Sequence, residues 1–311
     1  MKKRCLAVIA LLLVVFCLVG CQQTNLGTQG GKNTASPMTD LEGNEIVLPE
    51  KTEKIISLSA ANTEILLALG LADKLIAVDN YSIALDGVNK DLMQFDLMKP
   101  DTERIIAQEA DIIFVTSMSN AGGDDVYKPV RDAGICVVAV PSADSIDDIK
   151  KDIRFIGEVT GKAEEAQDVV KQMEAEIDQV KQKTASAAEK KRVYFEIGAE
   201  PKLYTFGTET FLNEMLTIIG AENIFADQAG WITVSEENVI AANPDVILTN
   251  VGYVDDPVGA VYARDGWDSI QAVKNKQVFY IDKNASSLAS QNIVIALKQM
   301  AQAIYPELYQ N

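Results

Sequence analysis

Lys162 to Thr184 reads KAEEAQDVVKQMEAEIDQVKQKT, and its apolar residues Ala163, Ala166, Val169, Val170, Met173, Ile177 and Val180 recur at the spacing of a one-faced helix. At 1.5 Å per residue such a helix runs roughly 35 Å, about the width of a small domain. The stripe covers too few heptads for a coiled-coil seam, so a rod joining two bodies is the better reading. Just before it, Gly157 to Ala163 (GEVTGKA) imitates a phosphate loop, but it has three residues between glycines and Ala163 where Ser or Thr would hold magnesium. It reads as the turn that starts the helix.

On either side of the rod, apolar runs of strand length alternate with helical patterns, which argues an α/β fold. A hairpin signal at Leu41 to Ile46 comes first. Lys54 to Ser59 then reads as a strand, Asn62 as the cap of a helix over Thr63 to Leu69, and Leu75 to Val78, Ile112 to Thr116 and Ile135 to Val140 as further strands. After the rod come a strand from Arg192 to Ile197, a helix from Phe211 to Ile219, strands at Val246 to Thr249 and Val278 to Ile281, and a closing helix near Asn292 to Ile304. The halves resemble each other. Glu64 to Gly70 (EILLALG) matches Glu214 to Gly220 (EMLTIIG), and Glu103 to Phe114 (ERIIAQEADIIF) matches Glu237 to Leu248 (ENVIAANPDVIL) in the same order. Two related lobes follow, with strand ends facing each other across a cleft, where open α/β sheets bind ligands.

The N-terminus carries an address. Lys2, Lys3 and Arg4 precede fifteen unbroken apolar residues, Cys5 to Val19, fewer than the roughly 20 a spanning helix needs but suited to an export signal. Leu18-Val19-Gly20-Cys21 resembles a bacterial lipobox, where cleavage would leave Cys21 to take the lipid that holds the protein at the membrane face. Residues 22–37 are polar and rich in Gly, Ser, Thr and Asn, a tether reaching roughly 20 to 25 Å. The expected organisation is a signal peptide over 1–20, a lipidated tether over 21–37, an N-terminal α/β lobe over 38–158, the connecting helix over 159–187 and a C-terminal α/β lobe over 188–311. Apart from Cys21, the exported chain would hold only Cys136, in an apolar run, so no disulfide is expected.

Composition removes whole classes of function. The chain of 311 residues has 45 acidic against 28 basic residues, a net charge of −17, which repels nucleic acid. With 0 histidines it has no His-dependent nucleophile, no H-E-x-x-H zinc helix and no imidazole metal site. It contains no G-x-S-x-G elbow, C-x-x-C pair, dinucleotide fingerprint or EF-hand loop. Acidic pairs such as Asp147-Asp148 and Asp255-Asp256 read as solvated surface. No cofactor, resident metal or enzymatic activity is expected.

Taken together, the lipobox, Asp40-x-x-Gly43, Ile55-Ile56-Ser57-Leu58 leading to Thr63-Glu64-Ile65-x-x-Ala68-Leu69-Gly70, the single long helix, Asn243-Pro244-Asp245-Val246-Ile247, Trp267-x-x-Ile270-x-Ala272-Val273-Lys274 and Tyr305-Pro306-Glu307 resemble the iron-siderophore and vitamin B12 class of ABC-importer substrate-binding proteins. The resemblance covers nearly the whole exported chain. It implies two Rossmann-like lobes joined by one helix, little lobe movement on ligand binding, a permease and its ATPase as partners, and a glutamate on each lobe pairing with permease arginines. Glu64 and Glu214, at matched places in the repeat, take that docking role.

The expected function is a lipid-anchored, monomeric receptor on the extracellular or periplasmic face that captures a ferric siderophore or a corrinoid. The alternatives are a haem receptor of the same importer class, and a surface lipoprotein or enzyme reusing the bilobal scaffold. Anionic catecholate chelates call for clustered cations. Arg104, Arg131, Arg154, Arg192 and Arg264 mostly fall on predicted helices or a strand start, which favours neutral or cationic chelates, corrinoids, or haem held by tyrosine. Residues just past strand ends or in predicted loops supply the expected ligand contacts: Asn62, Tyr81, Ser117, Tyr204, Trp231 and Tyr253. Among them Trp231, after Gly230 in a predicted loop, is the strongest.

Overall fold

Two parallel sheets are drawn from separate stretches of the chain. A small antiparallel hairpin, β1 (Met38–Thr39) and β2 (Glu45–Ile46), leads into the first. That sheet comprises β3 (Ile55–Ser57), β4 (Leu75–Asp79), β5 (Met93–Phe95), β6 (Ile112–Val115) and β7 (Cys136–Ala139), in the order β5-β4-β3-β6-β7. The second comprises β8 (Arg192–Glu196), β10 (Glu222–Asn223), β12 (Val246–Thr249) and β13 (Val278–Tyr280), in the order β10-β8-β12-β13. Beside it β9 (Leu203–Phe206) pairs antiparallel with β11 (Trp231–Val234). This computed structural model describes residues 38–117, 125–199 and 201–310. The expected signal peptide, Cys21 and tether lie outside the described residues.

The inner strands β3, β6 and β12, and β7 at one edge, are buried at every residue, as sheets covered on both faces require. In both sheets the order reverses direction beside the first strand, between β3 and β6 and between β8 and β12, and such switch points open crevices at the carboxyl ends of strands. The architecture is the expected pair of α/β lobes.

Between the sheets runs helix Ala163–Thr184, 22 residues and roughly 33 Å long. Ala166, Val170, Met173 and Val180 on its inner face belong to one apolar cluster with Ile153 and Ile156 before it and Met215, Leu297 and Met300 after it. The two halves therefore share a core along this helix, which resists independent lobe motion. The rod does not stand alone, however: helix Ile146–Val159 precedes it and packs against it. Their approach is so close that a Cβ on Gly157 would lie 2.3 Å from that of Ala166 and 2.9 Å from the Lys162 carbonyl oxygen. Gly157 is thus a packing residue of the first helix, and Gly161, with φ +71°, makes the turn. No helix among the described residues is long and apolar enough to cross a membrane.

One local expectation changes. Helix Ala60–Ala68 begins two residues before Asn62, with Ser59 in the cap position. Asn62 lies in the first turn, buried rather than capping, because the chain turns into the helix directly after Leu58 leaves the sheet.

Candidate functional site

The strand ends of both lobes converge on a cleft of about 570 Å³. On the first lobe's side it is lined by Ser59 to Asn62 after β3, Asp79 to Tyr81 at the end of β4, Thr116 after β6 and Val140 to Asp144 after β7. The second lobe contributes Phe211, Trp231 and Lys283 to Ala289 except for two buried residues. Such a volume, with mixed apolar and polar walls, suits a small-molecule ligand.

Each wall follows from local chemistry. Asp79 ends β4 and accepts hydrogen bonds from the backbone N–H groups of Tyr81 (2.7 Å) and Ser82 (3.1 Å), and from the Ser82 hydroxyl. Thr63 Oγ1 joins Ser82 Oγ and Ser57 Oγ, both at 2.8 Å, so a buried chain of hydroxyls ties the turn after β4 to the start of helix Ala60–Ala68. That network holds Tyr81 out over the cleft with its ring exposed. Opposite, Trp231 packs edge-on against Phe206 (6.2 Å between centroids) and Phe211 (6.0 Å), and 49% of it stays accessible. A supported, half-open indole is a preformed surface for a flat or apolar ligand face.

The six expected contacts divide evenly. Asn62, Tyr81 and Trp231 line the cleft. Ser117, Tyr204 and Tyr253 do not, and each has a physical reason. At the end of β6, Thr116 rather than Ser117 faces the cleft. Tyr204 is held in the β9/β11 ribbon, its ring against Gly198. The Tyr253 hydroxyl accepts a hydrogen bond from the Ala199 N–H at 2.8 Å. Trp231 also lies on strand β11 rather than in a loop, and it has aromatic partners.

Sequence reasoning missed Phe211 and Asp152, which also line the cleft. Asp152 had a readable signal: with Ile149, Ile153 and Ile156 it falls on the buried face of helix Ile146–Val159, an unusual place for a carboxylate. It is 5% exposed, and burial, with Asp148 nearby, pushes its carboxyl up to about 7 against a smaller opposing effect of Lys151.

No arginine is among the described lining residues. Arg264 is buried in a bidentate pair with Glu196, Nη2 to Oε1 at 2.9 Å, and stacks over Trp267 at 4.5 Å. Arg131 pairs with Asp125, Arg104 lies over Phe95, Arg192 donates to the Ala242 carbonyl oxygen, and Arg154 reaches Gln167. Lys283 is the one described basic residue in the lining, against Asp79, Asp144 and Asp152. No group of acidic or sulfur ligands among the described residues is arranged to hold a metal ion.

The two glutamates expected to dock a permease lie away from this cleft, and both have partners within the chain. Glu64 is 7% exposed, its carboxylate accepts a hydrogen bond from the Ser290 hydroxyl, and burial raises its pKa although bonds from Ser290 and Asn292 oppose the rise. It borders a hollow of about 720 Å³ shared with Leu67, Asn292 and Ile295. Glu214 is half-buried, and its Oε2 accepts from the Ile146 N–H at 2.7 Å. It borders a second hollow, of about 550 Å³, with Lys150 and Thr217.

Comparison with known proteins places this geometry in context. A family model described as periplasmic binding protein matches residues 55–285. The chain is 34% identical over 321 residues, 99% of each chain, to an uncharacterized ABC transporter substrate-binding lipoprotein, YvrC, of Bacillus subtilis. It is 29% identical over 209 residues to the vitamin B12-binding protein of Yersinia pestis, covering 66% of this chain and 72% of that one. A crystal structure of a possible iron-binding (periplasmic solute-binding) protein from Staphylococcus epidermidis superposes with a TM-score of 0.73 at 32% identity, covering 82% of this chain and 100% of that one.

Proposed function

Because the chain belongs to the periplasmic binding protein family, we propose that its cleft captures a neutral or cationic metal chelate, a ferric siderophore or a corrinoid, for import. The chain is a substrate-binding protein of the ABC-importer type, not an enzyme, and its partners are a permease and the attached ATPase. The observation that carries the choice of ligand is the cleft itself. Three carboxylates and one lysine among its described lining residues, without arginine, oppose a polyanionic catecholate, while Trp231, Phe211 and Tyr81 supply aromatic surface. Among the relatives, one is named for binding vitamin B12 and another is described as possibly binding iron, which supports a chelate.

The test is thermal unfolding of the detergent-solubilised full chain with ferric hydroxamates, ferric catecholates, haem, cobalamin and cobinamide. A ligand at a hundred times its Kd adds roughly 2.7 kcal/mol, several degrees in midpoint. A shift with hydroxamates or corrinoids supports the reading; a shift with catecholates alone overturns it. Haem is the second reading, because Tyr81 is the one described tyrosine lining the cleft. Tyr81→Phe abolishing the visible spectrum of a haem complex would select it.

Delivery needs an acid that a permease can reach on each lobe, and we assign that role to Glu64 and Glu214. Each borders a hollow, of about 720 Å³ and about 550 Å³, and each is held by a neutral donor, the Ser290 hydroxyl or the Ile146 N–H. A guanidinium makes the stronger, charge-assisted bond and can displace or add to such partners. Glu64→Gln with Glu214→Gln keeps an acceptor at both places and removes both charges. It is expected to leave ligand binding intact and abolish uptake; normal uptake removes the assignment. Lipid attachment at Cys21 holds the receptor at the outer face of the membrane, a reading supported by the lipoprotein named above. Incorporation of labelled fatty acid, lost in Cys21→Ala, tests it.

A further inference from the structure

We infer that Asp152 is the charge-selecting group of the cleft, a carboxyl in its lining left open for a positively charged or N–H-bearing edge of the ligand. The inference rests on the reading of this cleft as the capture site. Asp152 lines the cleft at 5% exposure and makes no hydrogen bond or ion pair with another described residue. A carboxylate largely shielded from water and without a partner is costly to keep charged, and a partner arriving from outside the chain offsets part of that cost.

The groups around it leave that place open. On its own helix Asp148 disfavours its ionisation and Lys151 only partly offsets this. On the same lobe Asp79 is already bonded to Tyr81 and Ser82 and Asp144 is exposed, and from the second lobe Lys283 is exposed; neither Asp144 nor Lys283 makes an ion pair with Asp152. The second lobe sets the aromatic pair Phe211 and Trp231 in the same cleft. A ligand matching both features has an apolar or aromatic face and a fringe of amide or ammonium groups, with a net charge of zero or above.

Asp152→Asn keeps the shape and removes the charge. In the ligand-free full chain the raised carboxyl binds a proton more tightly folded than unfolded, so wild-type stability falls as pH climbs from about 4 to about 7. The Asn variant lacks this loss: its unfolding midpoint is expected to exceed wild type by about 2 °C or more at pH 8 and to match it near pH 4. The binding arm uses cyanocobalamin, an amide-fringed neutral chelate, ferrioxamine B, which carries a free ammonium, and trianionic ferric enterobactin. Wild type is expected to take one of the first two and not the third. Asp152→Asn should weaken that binding roughly tenfold at pH 8 and leave it unchanged at pH 5. A variant that unfolds earlier than wild type at pH 8, or binds the accepted probe as tightly, overturns the inference. If wild type takes none of the three, chelate capture fails instead, and the ligand-free comparison still decides whether Asp152 is an unpartnered charge.

Discussion

Glu64 and Glu214 occupy matched places in two helices of similar sequence, EILLALG and EMLTIIG, and each helix is followed by a glycine in the left-handed region, Gly70 at φ +74° and Gly220 at φ +80°. Their surroundings differ. Glu64 is buried against residues 290–292, which follow the second sheet, and its carboxylate accepts from the Ser290 hydroxyl and the Asn292 side chain. Glu214 is half-buried and satisfies the N–H of Ile146, the first residue of a helix that follows the first sheet. Each acid thus reaches from its own half of the chain to the start of an element next to the other. Helix starts carry unpaired N–H groups and a positive dipole end, so a carboxylate there is favourable. The difference teaches that a repeated motif carries position in the fold, while the segment that packs over it decides how firmly the side chain is held.

The largest effect that would break this comparison is expected from Glu64→Ala. It leaves the buried Ser290 hydroxyl without its acceptor and opens a void, at about 2 kcal/mol, a midpoint loss of about 5 °C in thermal unfolding. A loss no greater than that of Glu214→Ala would erase the distinction between the two sites. Glu214→Ala comes next, at about 1 kcal/mol, because its carboxylate acts as a helix cap in a half-exposed place and water can replace it.

A pH series sharpens the contrast. The Glu64 carboxyl is raised when folded, so it destabilises the protein as pH rises through its folded value, and the strain is absent below the unfolded value near 4.5. Glu64→Gln, which retains an acceptor for Ser290, is expected to gain on wild type as pH climbs from 4 to 8, read as the difference in unfolding midpoint. A gap independent of pH would mean the carboxyl is not strained by burial. The smallest expected effect is coupling. The two acids share no partner among the described residues, so the double alanine variant should equal the sum of the single losses within about 0.5 kcal/mol, and a larger departure would reveal a common clamp between the halves.

Much of the fold was legible because periodicity is local. Ile55-Ile56-Ser57, Ile112 to Val115 and Val246 to Thr249 are apolar runs that only a sheet covered on both faces can bury, and the stripe from Ala163 to Val180 can only be one face of a helix. The antiparallel pair β9 and β11 was not legible, because Leu203 to Phe206 and Trp231 to Val234 each carry too short a pattern, and their partnership is a contact between distant segments. Within the cleft, Asn62, Tyr81 and Trp231 were found from their places just past strand ends or in predicted loops. Ser117, Tyr204 and Tyr253 share that kind of place and do not line the cleft, since one residue of register or one hydrogen bond to Ala199 redirects a side chain.

The sequence by itself determined the α/β alternation, the paired halves, the long helix and a composition without histidine and poor in arginine, because these are properties of local pattern and of counting. Only the tertiary structure decided that Glu64 is bonded to Ser290, that Glu214 meets the Ile146 N–H, and that Asp152 lines the cleft without a hydrogen-bond or ion-pair partner among the described residues. Burial and partnership are set by segments that meet in space, and a residue's neighbours along the chain do not specify which distant segment will cover it.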